Sequence, residues 1–413
     1  MTAAARILVA GGSLGGLLAA NVLWRAGHDV TVLEKTSGLQ DGRGAGLVTH
    51  SGLFAALRAA GAVIDETLGV RVATRVVLDA SGEVAARGRY AQLLTSWSRL
   101  YALLLEALPA ERYRAGMAVA HIEQDAAGVR VACTSGERLQ ADLLIASDGI
   151  RSAVRAQYAP QAVAQYAGYT AWRGVCDEAL LSPHTLATLF DNFGLGLPRG
   201  EQMIGYPVAG AGNQTQRGAR RYNFVWYRPA DEAVGLRRLM TDDEGQHHAG
   251  GIAPHKISGR EIAAMRHAGR ALLAPQFAEV LEKTAQPFLQ PIYDVFSERI
   301  AFGRVALMGD ASFVARPHVG MGVTKAGEDA LALVAAIARH GATPAALQDY
   351  ETQRLAAGQA VVERSRRLGA YMQAQGGSAA ERGAAESRRD AFTVLSETAI
   401  DLALGTEPEA LAA

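Results

Sequence analysis

The chain has 413 residues, which at about 150 residues per domain is enough for two or three domains and too long for one small binding module. It carries 41 basic and 41 acidic residues and therefore no formal net charge, which argues against a nucleic-acid-binding protein. Its composition of 49% hydrophobic and 20% charged residues is typical of a globular protein rather than a disordered or membrane-embedded one.

Cysteine content and hydropathy indicate the compartment. The two cysteines, Cys133 and Cys176, cannot alone form a disulfide framework or a four-thiolate zinc site, so we expect reduced thiols. No apolar run reaches the roughly 18 residues of a bilayer span, and the short run 7–10 is too brief for a signal-peptide core. We therefore predict a cytoplasmic protein without a membrane partner.

The first forty residues predict a strand, a glycine-rich turn, a helix and a second strand. The apolar run 6–10 and the run 29–33 are the two strands, and the Ala- and Leu-rich stretch 17–26 is the helix between them. This alternation is typical of a parallel sheet with crossover helices.

The rest of the chain predicts a second type of architecture inserted into the first. Helical patterns lie at 50–62, 100–108, 261–283 and from 323 onward. Strand patterns lie at 119–123, 129–133, 143–146, 169–175, 203–208, 222–227 and 300–307. Because the aromatic-rich strands cluster between 168 and 294, we predict an α/β fold. A nucleotide-binding domain is interrupted there by a mostly antiparallel sheet domain and followed by a helical C-terminal segment with an exposed break at 374–385.

The glycine turn carries the first chemical signal. Gly11 is placed for a tight turn, Gly16 for close packing of helix on strand, and Ser13 where the backbone must approach a pyrophosphate. Glu34 ends the second strand, where its carboxylate can accept hydrogen bonds from ribose hydroxyls. With the free N–H groups of the helix N-terminus, these residues predict a dinucleotide site.

Two later strands end in carboxylates. The run 142–147 leads into Asp148 and Gly149, and the run 303–308 leads into Gly309 and Asp310. Both acids are expected at the carboxyl edge of the sheet, where ligands bind in such folds.

These three motifs, in this order, resemble the class A FAD-dependent aromatic hydroxylases of the p-hydroxybenzoate hydroxylase group, over about residues 5–370. Three segments resemble most closely the hydroxypyridine hydroxylases within that group: the Gly-Gly-Ser-Leu turn, 95–101 and 166–174. The resemblance implies a Rossmann-like FAD-binding domain formed by 1–165 and 295–370, an inserted substrate-binding sheet domain at 166–294, and a helical tail at 371–413.

The resemblance also implies a set of FAD-binding residues. By their place in the family motifs these are Gly11, Ser13, Leu14, Gly16, Glu34, Lys35, Arg43, Gly46, Asp148, Gly149, Asp310, Pro317, Gly320, Met321 and Gly322. Asp310 resembles the aspartate on the ribityl chain, and 317–322 resembles the loop beside the isoalloxazine. Two positions depart from many relatives, since Trp97 stands in place of a basic residue and Phe313 in place of a histidine.

The implied reaction is hydroxylation of a small hydroxylated aromatic ring, such as 2,6-dihydroxypyridine, with NADH or NADPH and O₂ through a C4a-hydroperoxyflavin. A homodimer is a family-level expectation. In such a reaction the cofactor carries the oxidative chemistry, while the protein orients the ring and keeps water away.

Three residues are candidates for work on the substrate. His318 follows Pro317 and could hydrogen-bond or deprotonate a ring hydroxyl. Arg173, on an apolar strand, needs an anionic or acceptor partner, which could be substrate or an internal carboxylate. Tyr206 lies on another aromatic-rich strand, where core packing is the alternative to substrate contact, as it is for Trp172 and Trp226.

Other functions remain open at this point, and the first of them is flavin-dependent hydroxylation of a different phenolic or heteroaromatic substrate. A flavin halogenase would share the FAD motifs, but the four tryptophans do not form a Trp-x-Trp-x-x-Pro segment. The argument against an NAD-dependent dehydrogenase rests only on the second and third motifs. A non-catalytic FAD-binding protein would carry the same motifs and is therefore not excluded by them. The histidines at 247, 248 and 255 match no zinc spacing, so we expect no metal.

Overall fold

The computed structural model describes residues 4–38, 46–387, 389–401 and 409–411. The strands are β1 (Arg6–Ala10), β2 (Asp29–Glu34), β3 (Gly46–Val48), β4 (Val70–Leu78), β5 (Val84–Ser96), β6 (Tyr113–Ala115), β7 (Val119–Gln124), β8 (Val129–Cys133), β9 (Arg138–Ala141), β10 (Leu143–Ala146), β11 (Gln165–Asp177), β12 (Asn192–Gly196), β13 (Gln202–Val208), β14 (Arg221–Pro229), β15 (Phe288–Asp294), β16 (Ala301–Phe302), β17 (Val305–Leu307) and β18 (Glu409–Leu411).

The helices are α1 (Leu14–Arg25), α2 (Ser51–Ala59), α3 (Trp97–Glu106), α4 (Ala153–Tyr158), α5 (Pro183–Leu189), α6 (Arg237–Leu239), α7 (Gly259–Leu272), α8 (Pro275–Lys283), α9 (Gly322–His340), α10 (Pro344–Gln373), α11 (Ala379–Ser387) and α12 (Ala391–Glu397). Within these described residues, no helix has both the length and the apolar composition needed to cross a bilayer.

A six-stranded sheet with order β16-β17-β10-β1-β2-β6 forms the nucleotide-binding part. Strands β17, β10, β1, β2 and β6 pair with one another in parallel, whereas β16 pairs with β17 in an antiparallel manner. Helix α9 packs against both α1 and α2. Strands buried on both faces read as continuous apolar runs, and β10 is buried at every residue. The α/β architecture predicted from the sequence is confirmed.

A nine-stranded sheet forms the second layer, with order β15-β11-β14-β13-β12-β4-β5-β18 and β3 paired to β5. Apart from β12, which pairs with β4 in parallel, these strands pair in an antiparallel manner. Strands β4 and β5 precede 166 in the chain yet extend this sheet, because β4 pairs with β12 through contacts about 118 residues apart in sequence. How the chain divides into domains stays a prediction.

Successive side chains along these strands point to opposite faces of the sheet, so that one face packs under helices and the other forms a separate cluster. Trp172, Trp226 and Met203 belong to the cluster that packs under α7 and α8, whereas the tyrosines at 169, 206 and 227 belong to the cluster on the other face. The interpretation of Trp172 and Trp226 as core residues is therefore the one that their packing supports.

Two segments differ from the expectations of local pattern. The single strand expected at 300–307 is a hairpin of β16 and β17, because Gly303 adopts a φ of +62° and turns the chain. The exposed break expected at 374–385 is a short 3₁₀ turn followed by α11, since its alanine- and glutamate-rich sequence favours a helix over a loop.

Candidate active site

Three parallel strands end at one edge of the six-stranded sheet, and each end carries a predicted cofactor residue. Gly11 follows β1, Asp148 follows β10 and Asp310 follows β17. Because β17, β10 and β1 are consecutive neighbours with parallel register, the three motifs converge where open α/β sheets bind nucleotides.

The glycine turn is so tightly packed that a side chain at Gly11 or Gly16 would collide with backbone atoms. Gly11 has a φ of +100°, and a Cβ there would lie 2.3 Å from the Ser147 carbonyl oxygen. A Cβ on Gly16 would lie 1.8 Å from the Gly11 oxygen. Ser13 caps α1 without a side-chain hydrogen bond, and no acidic residue stands in the first turn of that helix. Leu14 begins the helix, so free N–H groups and an unused hydroxyl face the place for a pyrophosphate.

Glu34 is buried at the end of β2 and fixes the turn. Its carboxylate accepts from the Gly12 N–H at 2.7 Å and from the Thr36 N–H at 2.8 Å. Each carboxylate oxygen retains a second lone pair for a ribose hydroxyl. The neighbouring Lys35 is exposed at the surface.

Asp148 holds one partnered and one orphaned oxygen. Its Oδ2 accepts from the Val154 N–H at 3.3 Å, while Oδ1 is buried without a hydrogen-bond partner. Desolvation raises the pKa of this carboxyl above its usual range. A buried oxygen without a donor is costly, so this atom is suited to a ligand that brings its own hydroxyl or N–H group.

Asp310 faces the cavity on a loop that two residues of α9 hold in place. Asp329 accepts from the Gly309 N–H at 3.0 Å, and the buried Lys325 donates to the Gly309 carbonyl at 2.6 Å. The surrounding walls desolvate the Asp310 carboxyl and raise its pKa, whereas the Lys325 charge acts in the opposite direction. Sequence analysis missed Lys325, and its one signal is the four-residue spacing to Asp329 on α9.

The loop before α9 is the third component. Pro317 opens a 3₁₀ turn that ends at Gly320 with a φ of +65°, in the left-handed region that favours glycine. Met321 precedes α9, and Gly322 is its first residue, so the N-terminal N–H groups of a 19-residue helix point toward this loop.

A cavity of about 340 Å³ joins this edge to the nine-stranded sheet, within the size range of small-molecule sites. Eleven predicted residues line it: Ser13, Leu14, Gly46, Gly149, Arg173, Tyr206, Asp310, Pro317, Gly320, Met321 and Gly322. Gly11, Gly16, Glu34, Lys35, Asp148 and His318 are outside its lining. Arg43 lies outside the described residues.

The wall opposite the loop is an aromatic and aliphatic surface with one cation. Its apolar members on β12, β13 and β14 are Phe193, Ile204, Val225 and Tyr227. Arg173 projects from β11 beside them, donates to Gln290 at 2.6 Å and leaves its Nε buried without a partner. Among the described residues the side-chain partner of Arg173 is the Gln290 amide and no carboxylate pairs with it, so the alternative of an internal carboxylate partner is not met there.

Tyr206 lines the cavity, whereas His318 does not. The Tyr206 hydroxyl has no hydrogen-bond partner among the described residues, and burial raises its pKa to about 12, so near neutral pH it is a hydrogen-bond donor. His318 is buried in the loop outside the cavity lining, with Nε2 2.9 Å from the Tyr169 hydroxyl and its ring 4.2 Å from that of Tyr227. Burial, reinforced by Arg316, lowers the pKa of His318 to about 3.

These features fit an FAD. The glycine cradle, the uncapped N-terminus of α1 and the orphaned Asp148 oxygen suit a dinucleotide, and the cavity between 317–322 and the sheet suits an isoalloxazine beside a small ring. Among the described residues no group of three His, Cys, Asp or Glu is arranged to hold a metal ion. His248 instead lies 2.8 Å from Asp242.

Comparison with protein families gives matches that together span residues 4–365. A family model described as FAD binding domain matches residues 4–183 and 268–365. A second, described as FAD binding domain-like, matches residues 166–294.

Comparison with individual proteins gives similar enzymes of matching length. The chain is 30% identical over 378 residues to 2,6-dihydroxypyridine 3-monooxygenase of Paenarthrobacter nicotinovorans, covering 90% of this chain and 92% of that one. It is 30% identical over 367 residues to FAD-dependent urate hydroxylase of Klebsiella pneumoniae, covering 84% and 85%. The solved structure of 2,6-dihydroxypyridine-3-hydroxylase from Arthrobacter nicotinovorans superimposes with a TM-score of 0.85 at 30% identity, covering 92% of this chain and 95% of that one.

Proposed function

The chain belongs to the FAD binding domain family, among its FAD-dependent monooxygenases, and on that premise we propose that it hydroxylates a hydroxypyridine, with 2,6-dihydroxypyridine as the first candidate. The resemblance inferred from the sequence motifs is thereby confirmed at the level of family, cofactor and reaction class. The substrate assignment goes beyond that level and depends on the wall of the cavity.

The observation that carries the proposal is the unpaired guanidinium of Arg173 in an otherwise apolar wall. A cation lacking a carboxylate partner in a partly desolvated site favours an anionic ligand. A dihydroxylated pyridine forms such an anion when a ring hydroxyl or its tautomeric N–H ionises. The same ionisation enriches the ring in electrons, which an electrophilic hydroxylation requires.

The surrounding side chains position the ring. The apolar surfaces of Phe193, Val225 and Tyr227 cover its faces and exclude water. The Tyr206 hydroxyl donates a hydrogen bond to a ring oxygen, and the Gln290 amide, already bonded to Arg173, holds the guanidinium toward the ring. Aromatic walls with few polar groups are typical of small-molecule sites.

The residues that would hold FAD are the glycine turn, Glu34, Asp310 and the loop 317–322. When bound, FAD supplies the transfer of electrons from NADH or NADPH to O₂ and of one oxygen atom to the ring. The overall reaction consumes the reduced nicotinamide, one proton and O₂, replaces a ring hydrogen by a hydroxyl, and releases one water. The role of the chain's residues is to bind, orient and shield.

The test is oxygen consumption by the FAD-loaded protein with NADH and then with NADPH. Each is measured with and without 2,6-dihydroxypyridine, and the product mass is checked for one added oxygen. Stimulated uptake with a product heavier by one oxygen supports the proposal. Stimulation by urate or an aminohydroxybenzoate but not by a pyridine would contradict the proposed substrate and leave the assignment as a monooxygenase intact. No stimulation by any ring would favour a halogenase or a non-catalytic FAD-binding protein.

Three further parts of the proposal concern the setting of the enzyme. The proposed sheet domain at 166–294 is supported by the separate family match over those residues, and the division of the rest into 1–165 with 295–370 and 371–413 stays a prediction. Cytoplasmic localisation is supported by two buried cysteines that remain free thiols. A homodimer is what the family resemblance implies, and light scattering during gel filtration tests it.

A further inference from the structure

The C-terminal segment 398–401 reaches the cavity, although no sequence motif marks it. Ala399 lines the cavity together with Val48 and Gly320, and only 3% of its surface is exposed. Its N–H donates to the His318 carbonyl at 2.8 Å, inside the loop before α9. Its methyl group lies against the same loop, since a Cβ on Gly320 would come within 3.2 Å of it.

Ala399 adopts an unfavourable backbone conformation at this point. Its φ of +51° lies in the left-handed region, where a residue with a Cβ is disfavoured. Among the described residues, the other non-glycine residue with positive φ is Asn213, in a loop outside the cavity lining. A strained residue persists where its surroundings over-determine it, often beside a ligand.

A buried guanidinium supplies that constraint. Arg75 on β4 is fully buried and donates to the carbonyls of Leu395 at 3.1 Å, of Thr398, and of Ala399 at 3.0 Å. Gln92 on β5 accepts from Arg75 at 2.8 Å and also donates to the Ala399 carbonyl at 3.0 Å. Ala399 is therefore fixed on both sides, by its N–H at the loop and by its carbonyl in the sheet.

Arg75 also contacts the opposite wall of the cavity. Its guanidinium lies between the rings of Tyr90 and Phe193, 4.5 Å from each centroid. Phe193 stacks on Tyr206 with centroids 5.3 Å apart and an interplanar angle of 12°. One buried side chain thus supports both the C-terminal segment and the aromatic wall.

The geometry points to Ala399 as a specificity-determining residue of the substrate cavity and to Arg75 as the positioning residue that holds it there. The inference rests on the proposed function, because it takes the cavity as the place where the ring binds. The Ala399 methyl limits the width available beside Gly320, so that a single ring fits and a fused pair of rings does not. The C-terminal segment thereby becomes part of the substrate site.

The experiment measures ring binding to the FAD-loaded protein from the change in flavin absorbance, which does not depend on turnover. The probes are 2,6-dihydroxypyridine as the single ring and 2,4-dihydroxyquinoline as the fused one, and the readout is the ratio of their dissociation constants. Wild-type protein is expected to favour the single ring. Ala399→Gly should improve quinoline binding at least fivefold and change pyridine binding less than twofold, whereas Ala399→Val should weaken quinoline binding at least tenfold more than pyridine binding.

Asn213→Gly is the matched control, because it removes the other positive-φ strain without touching the cavity, and its ratio should equal that of wild type. Arg75→Lys replaces the planar guanidinium by a single ammonium nitrogen, which cannot occupy the space between both rings and also reach the carbonyls and Gln92 that Arg75 bonds. Its ratio should therefore move in the direction of Ala399→Gly. If Arg75→Lys does not fold, the binding ratios of the two Ala399 variants still test whether Ala399 determines ring specificity.

Unchanged ratios in both Ala399 variants, or equal binding of the two probes by wild type, would overturn the inference even with the monooxygenase activity intact. Shifted ratios without ring-stimulated oxygen uptake would instead remove the proposed function and leave Ala399 as a wall residue.

Discussion

The Tyr169 hydroxyl lies 2.9 Å from Nε2 of His318, and the His318 ring packs 4.2 Å from that of Tyr227. Tyr227, not His318, lines the cavity. His318 is fully enclosed, and burial followed by the Arg316 charge lowers its pKa to about 3, so the imidazole is neutral at physiological pH. Direct deprotonation of a ring hydroxyl by His318 stays a prediction, and the geometry favours a role in holding Tyr227.

The buried, neutral His318 makes stability fall in mild acid. Its pKa of about 3 in the folded protein, against 6.5 when exposed, means that between these values the unfolded chain binds a proton that the folded chain does not. Stability from this group is complete above pH 6.5 and is lost as the pH falls, by about 1.4 kcal/mol per unit. His318→Gln should therefore lose roughly 2 kcal/mol less than wild type between pH 7.5 and 5, measured by urea unfolding.

His121→Gln, at an exposed position on β7, is the control and should follow the wild-type curve. An equal loss in wild type and His318→Gln would mean that the imidazole takes up a proton in the folded state, and would restore it as a candidate base.

Asp310 should be needed to retain FAD. Asp310→Asn removes the charge that a ribityl hydroxyl would bond to, while the Gly309 backbone stays bonded to Asp329 and Lys325. A charged hydrogen bond is worth about 1.5–3 kcal/mol, so FAD affinity should fall roughly 10- to 150-fold. Fluorescence titration of the apoprotein with FAD measures this. Asp349→Asn, on α10 and paired with Arg339, should bind FAD as wild type does, and full affinity in Asp310→Asn would contradict the assignment.

Gly16→Ala should abolish FAD binding and lower stability. Its Cβ would lie 1.8 Å from the Gly11 carbonyl oxygen, and because the obstacle is backbone the turn itself must shift. Overpacking costs about 1–3 kcal/mol where side chains can yield, and we expect at least that loss here. Thermal unfolding and the flavin absorbance of the purified protein are the measurements. Gly38→Ala, where nothing lies within 4 Å of the new methyl, should leave both unchanged.

The sequence predicts the nucleotide edge well because its signals are local. Gly11, Asp148 and Asp310 each lie within three residues of the end of an apolar strand, and parallel pairing alone brings such strand ends together. The face of the second sheet was harder to predict, since Arg173 and Trp172 are adjacent in sequence but lie on opposite faces. Only the observed register decides which of the two lines the cavity.

The part that Arg75 and Ala399 play in the cavity depends on long-range contacts, which the sequence did not indicate. Arg75 and Ala399 are 324 residues apart, and their hydrogen bond depends on α12 packing against β4 and β5. Neither residue belongs to a motif, and alanine carries no chemical signal. The positive φ of Ala399 and the full burial of Arg75 are properties of the folded chain alone.

Arg173 should set the preference for an anionic ring. Arg173→Met keeps an unbranched side chain that can pack on the apolar wall and removes the charge, so Kd for 2,6-dihydroxypyridine should rise about 10- to 100-fold, the loss expected for a charged hydrogen bond. In wild type this Kd should fall as the pH rises through the ionisation of the ring, and in Arg173→Met that dependence should flatten.

The non-ionising analogue 2,6-dimethoxypyridine should bind the two proteins within about threefold, because area buried on the apolar wall is nearly the same. Arg221→Met, at the surface end of β14 where Arg221 pairs with Asp177, should match wild type throughout. A pH-dependent affinity retained in Arg173→Met would show that another group stabilises the anion and would move the search to the loop 317–322.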